Sequence, residues 1–161
     1  MGAGKTSVGR EVARRLSSKF IDLDAVIEAR TGRSVSDIFS TNGETAFRRL
    51  EQEALRETLA RESEAYVLAI GGGAFVQPEI AETLAKTPTV FLEAPAEELY
   101  RRCVDSLDAG IRPLLQDLTS FKKLYAERVP LYRRARWTVN TSGRTVEEVA
   151  AEIAGLIQPA D

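Results

Sequence analysis

Gly2-Ala3-Gly4-Lys5-Thr6-Ser7 stands directly ahead of Val8, Val12, Ala13 and Leu16, four apolar residues at helical spacing. A glycine-rich turn followed by Lys-Thr and an amphipathic helix is the back half of the pattern G-x-x-x-x-G-K-[ST]. The glycines let backbone N–H groups turn inward around phosphates, and the helix beginning near Lys5 offers the anion its positive end. Lys5 is placed to reach the β- and γ-phosphates, and the Thr6 hydroxyl to ligate Mg²⁺. Gly2, Ala3, Gly4, Lys5, Thr6 and Ser7 are therefore the candidate contacts for ATP. The competing reading is a glycine-rich, frayed end. The first glycine of the pattern would fall ahead of Met1, and a strand should lead into it. We therefore expect the sequence as given to begin late, short by one strand and its turn.

Outward from this turn, helices alternate with short apolar strands. The periodicity predicts helices over about 5–17 and 24–31 and a short one holding Ile38 and Phe39. A longer helix follows Gly43, another opens at Pro78, another at Pro95 and another near Ser120, and the last is capped by Thr145. Strands are expected at 20–22, 66–70, 89–93 and 137–140. Tyr66-Val67-Leu68-Ala69-Ile70 is a continuous apolar run, as expected of a strand covered on both faces. Alternation of this kind implies an α/β fold with a parallel sheet, in which ligands gather at the C-terminal ends of the strands. That edge carries Asp22 and Asp24 after one strand, Gly71-Gly72-Gly73 after the next and Ala94-Pro95 after a third. Residues of about 105–118 lose periodicity around Gly110 and Pro113 and read as a small lid on an otherwise single domain, 1–161.

Composition narrows the chemistry. The chain has 161 residues, 43% apolar and 29% charged, with a net charge of −2. Such a balance disfavours binding to nucleic acid by general attraction. No run approaches the length of a membrane span, so the cytoplasm is the expected compartment. Cys103 is the single cysteine, so no disulfide forms within the chain, and there is no histidine. Imidazole catalysis and Cys-rich zinc sites are excluded. Lys, Arg, carboxylates, hydroxyls, backbone amides and a bound ion remain. Asp22 and Asp24 leave one strand end on the same side.

Taken together, GAGKTSVGR at 2–10, FIDLD at 20–24, RTGRSVSDIF at 30–39, GETAFRRLE at 43–51, IGGGA at 70–74, FLEAP at 91–95, RPLL at 112–115 and ERVPLYRRA at 127–135 resemble the shikimate kinases in order and across nearly the whole chain. The resemblance implies a three-layer P-loop fold like that of the nucleoside monophosphate kinases, and transfer of the ATP γ-phosphoryl group to the 3-hydroxyl of shikimate. It implies Lys5, Asp24 and Arg112 as catalytic residues. Asp24 would hold the substrate hydroxyls and accept a proton, and Asp22 would act on Mg²⁺ through water alongside Thr6. Arg48 and Arg128 would bind the shikimate carboxylate, and Gly71, Gly72 and Gly73 would meet the ring, Gly72 through its N–H. Arg112 would swing over the phosphates and Arg102 would stack on adenine. Arg144 lies near the expected adenine loop. The partner is then a small molecule, with no nucleic acid or membrane, and the protein is expected to be a monomer. A gluconate-type or nucleotide kinase on the same fold is the rival enzyme, and a non-catalytic nucleotide binder the rival of another class. Neither needs Asp24, Arg48, Gly72 and Arg128 in combination.

Overall fold

The structure is a computed structural model and describes residues 2–105 and 117–157. Helix α1 (Lys5–Arg15) leads into strand β1 (Lys19–Asp22), helices α2 (Leu23–Thr31) and α3 (Val35–Arg61), and strand β2 (Tyr66–Ala69). Helix α4 (Pro78–Leu84), strand β3 (Val90–Glu93) and helices α5 (Ala96–Asp105) and α6 (Leu118–Tyr132) follow. Strand β4 (Trp137–Asn140) and helix α7 (Val146–Ile157) complete the order.

The strands pair in parallel. β1 and β2 register from Lys19 against Tyr66 to Asp22 against Ala69, and β3 and β4 from Val90 against Trp137 to Glu93 against Asn140. Among the described residues the hydrogen-bonded strands thus form two pairs, where the alternation leads one to expect a single run. Apolar packing joins the pairs: Val67 of β2 lies against a cluster of Val8 and Val12 from α1, Leu92 from β3 and Val139 from β4. Helices α1 and α7 pack on each other above this cluster. A second core joins α2, α3 and α4 through Leu23, Ile27, Phe47, Leu55 and Ile80. A third sits under α5 and α6, around Leu99, Cys103 and Phe121.

Local sequence sets the boundaries that matter for the site. Asp22 ends β1 and caps α2, its side chain accepting from the N–H of Asp24, so that helix starts at Leu23. Ser34 caps α3 in the same manner, accepting from the N–H of Asp37. α3 runs on where two helices are expected, but Gly43 inside it has φ 80° and ψ 172°, a left-handed break that separates an entry segment from the long helix carrying Arg48 and Glu51. The outer residues of the expected lid belong to helices: Asp105 closes α5, and Asp117 caps α6, accepting from the N–H of Ser120. The rest of that segment, with Arg112, lies outside the described residues. Among the described residues, no helix is long and apolar enough to cross a membrane.

Candidate active site

The nucleotide end is built from backbone. Gly2 and Gly4 have φ of 70° and 77°, a region that costs a side-chain-bearing residue about 1–2 kcal/mol. Gly4 occupies the N-cap of α1, where no side chain bonds the exposed N–H groups, and the first turn holds no acid. The N–H groups and positive end of α1 are therefore left to an anion. Beneath the turn, a Cβ on Gly2 would stand 2.4 Å from the carbonyl oxygen of Leu99 and 3.0 Å from Sγ of Cys103. The turn is seated on α5, and it needs glycine for room as well as for φ. Arg102 of α5 donates to the carbonyl of Gly2, at 3.5 Å, and to the carbonyl and hydroxyl of Thr141, both at 3.1 Å, and it pairs with Glu98. It thereby ties the phosphate turn to the end of β4. Arg144 instead bonds Asn140, Glu148 and Glu152 and fastens the start of α7.

Thr6 joins this end to the acids of β1. Its hydroxyl donates to Oδ2 of Asp22 at 3.0 Å, while Oδ1 accepts the Asp24 N–H at 3.1 Å. A hydroxyl and a carboxylate side by side at a phosphate turn are a hard oxygen pair suited to Mg²⁺, which keeps several waters and phosphate oxygens and needs few protein ligands. Among the described residues no cluster of three His, Cys, Asp or Glu side chains offers an all-protein metal cage. Asp24 is largely buried. Burial raises its carboxyl pKa and the neighbouring Asp22 raises it further, while the positive charges of Lys5 and Arg48 pull it back. Asp24 thus feels the positive charges of both Lys5 and Arg48.

Arg48 is held on all sides. Its guanidinium donates to Oε2 of Glu51 at 2.8 Å and to Glu44 at 3.0 Å, and it lies over the rings of Phe39 and Phe47. Glu51 is fully buried, and burial raises its pKa against the opposing pull of Arg48. Oε2 of Glu51 also accepts from Gln77 at 2.8 Å, and the same Gln77 nitrogen reaches the carbonyl of Gly73 at 3.3 Å. Oε1 of Glu51 has no hydrogen-bond partner among the described residues and faces Gly71, where an added Cβ would come within 3.1 Å of it.

None of Gly71, Gly72 and Gly73 has a left-handed φ. The sequence suggests that they clear space for a substrate ring, but the space beside two of them is already occupied by protein. A Cβ on Gly73 would fall 2.1 Å from Nη2 of Arg48, and one on Gly72 would fall 2.6 Å from the Tyr132 hydroxyl. That hydroxyl donates to the carbonyl of Gly72 at 2.8 Å. Burial raises the Tyr132 pKa, and the positive charges of Arg128 and Arg48 pull it back.

Pairwise contacts link many of the residues singled out in the sequence: Thr6 bonds Asp22, Asp24 feels the charges of Lys5 and Arg48, the Arg48 guanidinium crowds Gly73, and Arg128 acts on Tyr132 beside Gly72. Gln77 and Tyr132 escaped the sequence reading. Tyr132 follows Arg128 by one helical turn, a spacing that could have flagged it; Gln77, the residue before Pro78, carries no comparable signal.

A glycine turn on a helix N-terminus, a Thr-Asp pair beside it, and a buried acid between a lysine and an arginine define an ATP-dependent small-molecule kinase of the P-loop class. The family model for shikimate kinase matches residues 1–158. Shikimate kinase of Thermus thermophilus is 46% identical over 157 residues, covering 95% of this chain and 83% of its own. That of Mycobacterium avium is 40% identical over 164 residues, covering 99% and 90%. A structure of shikimate kinase from Acinetobacter baumannii in complex with shikimate superposes with a TM-score of 0.89 at 38% identity, over 98% of this chain and 88% of that one. The chain belongs to the shikimate kinase family.

Proposed function

We propose that this chain transfers the γ-phosphoryl group of ATP to the 3-hydroxyl of shikimate, with the following division of labour. Residues 2–7 cradle the phosphates through backbone N–H groups, and Lys5 neutralises charge on the transferring group. Thr6 and Asp22, the latter through water, hold Mg²⁺, which supplies further charge neutralisation on the phosphates when bound. Arg102 lies against adenine, and Arg112 closes on the phosphates from the lid. Arg48 and Arg128 take the substrate carboxylate, for which a planar guanidinium is suited. The Gly72 N–H fixes the ring. Asp24 holds the attacking hydroxyl and receives its proton as the O–P bond forms and the bond to the ADP oxygen breaks. The reading takes the protein as a cytoplasmic monomer that needs neither nucleic acid nor membrane.

One observation carries the reading. Asp24 lies within the electrostatic reach of Lys5 and of Arg48 together and beside Gly71, which supports a carboxyl set between the phosphates and the substrate carboxylate. Coupled measurement of ADP release tests it. Shikimate should support turnover that is lost with EDTA and restored by Mg²⁺, with gluconate and nucleoside monophosphates inert. Turnover of gluconate or a nucleotide in place of shikimate would overturn it.

A further inference from the structure

Tyr132 lies at the last residue of α6, one turn after Arg128, and is mostly buried. Its ring packs on Phe91 of β3, with centroids 5.2 Å apart. Its hydroxyl donates to the Gly72 carbonyl at 2.8 Å, and the positive charge of Arg128 pulls down the phenol pKa that burial raises. In a trans peptide the carbonyl of one residue and the N–H of the next point to opposite sides. Anchoring the Gly72 carbonyl on Tyr132 therefore fixes the plane of the Gly72–Gly73 peptide and with it the path of the glycine turn. Arg128 stands one helical turn before Tyr132, so the same hydroxyl ties that turn to the helix that carries the arginine. The Gly72 position is also closed to a side chain by this hydroxyl: the added Cβ meets Oη at 2.6 Å, but the ring carbon behind it only at 3.5 Å.

We propose that Tyr132 is a positioning residue for substrate binding, its hydroxyl locking the Gly72 turn of β2 to the Arg128 face of α6. This rests on the reading that Arg128 and Gly72 bind the substrate. The phenol moves no proton in the reaction and makes no contact with ATP. Its loss therefore changes the capture of shikimate and leaves the nucleotide untouched.

Steady-state kinetics on Tyr132→Phe, Gly72→Ala, the double variant and Arg128→Ala test the proposal. Removing the hydroxyl that holds the Gly72 carbonyl should raise the KM for shikimate about three- to tenfold, with kcat and the KM for ATP within about twofold. Gly72→Ala should raise the same KM by about tenfold or more, because its methyl group strikes the hydroxyl. In the double variant the striking atom is gone and the methyl meets the ring at ordinary contact distance. Its KM should fall below that of Gly72→Ala alone, the non-additivity expected when both residues act on the substrate through this one contact. Thermal unfolding of each variant separates a folding defect from a binding one. If Arg128→Ala raises the KM for shikimate but Tyr132→Phe does not, the positioning role is wrong and the site reading stands. Equal rises in both KM values on Tyr132→Phe, or penalties that multiply in the double variant, also overturn it. If Arg128→Ala leaves the KM unchanged, the site reading itself is wrong and the proposal falls with it.

Discussion

Gly4 in the first glycine turn and Gly72 and Gly73 in the second are glycines for different reasons. Gly4 is glycine because its backbone is left-handed, with φ of 77°; a Cβ there would meet little, its nearest neighbour being a methyl of Val8 at 3.9 Å. Gly72 and Gly73 have ordinary backbones but no room, the one beneath the Tyr132 hydroxyl and the other beneath the Arg48 guanidinium. On the proposed function, the first turn shapes N–H groups around the phosphates, and the second is a floor on which side chains from α3 and α6 are set in fixed places for the substrate. The proposal thus assigns anion binding at Gly4 to conformation and selectivity at Gly72 and Gly73 to packing.

Substitutions that attack each kind of glycine and its surroundings should separate these roles. The largest effect is expected at the acid between the turns. Asp24→Asn should lower kcat about a thousandfold, by removing the proton acceptor. The same change should raise Tm, because burial makes the ionised carboxylate costly. The carboxyl pKa is raised in the folded state, so the native protein is penalised above that pKa and not below the ordinary carboxylate value of about 4. Thermal melts should show the gain of the Asn variant growing as the pH rises above that ordinary value and fading as the pH falls towards it. Gly73→Ala comes next: its methyl must displace Arg48, so the KM for shikimate should rise about ten- to a hundredfold with the KM for ATP unchanged. Gly4→Ala should do the reverse, raising the KM for ATP about tenfold through backbone strain and sparing that for shikimate. If either variant moves both constants alike, the contrast between the turns fails. Gln77→Ala should be the mildest, loosening Glu51 and raising the KM for shikimate about threefold in the same assay.

The first turn was legible in the sequence because its parts are contiguous. Five residues and the helix behind them define a phosphate site without help from the rest of the chain. Asp22 and Asp24 were legible for the same reason, being two residues apart, although Asp24 stands in the first turn of α2 and only Asp22 ends the strand. Arg48 and Arg128 were found through the resemblance, because many arginines stand on charged helices and local pattern does not sort them. What singles out Arg48 is its burial between Glu51, two phenylalanine rings and Gly73, all of it tertiary. Tyr132 escaped because its partner, Gly72, lies sixty residues away in the turn after β2. The single parallel sheet suggested by alternation appears as two strand pairs, since alternation reports how often strands occur and not which edges meet.

Those strand pairs also bear on how the chain assembles. Lys19 meets Tyr66 and Val90 meets Trp137, so both pairs close loops of the same length. Loop-closure entropy varies only slowly with length, so neither half has a topological head start over the other. One half carries Asp24, Arg48 and the second glycine turn, while the other carries α5, which supports the first turn, and α6. The hypothesis is that the halves gain protection together and the catalytic space between them is finished last. Pulsed hydrogen exchange during refolding would show it, by amides of β1–β2 and β3–β4 protecting at one rate. Early protection of a single pair would count against it. A site shared between two such halves makes activity a late and sensitive report of complete folding.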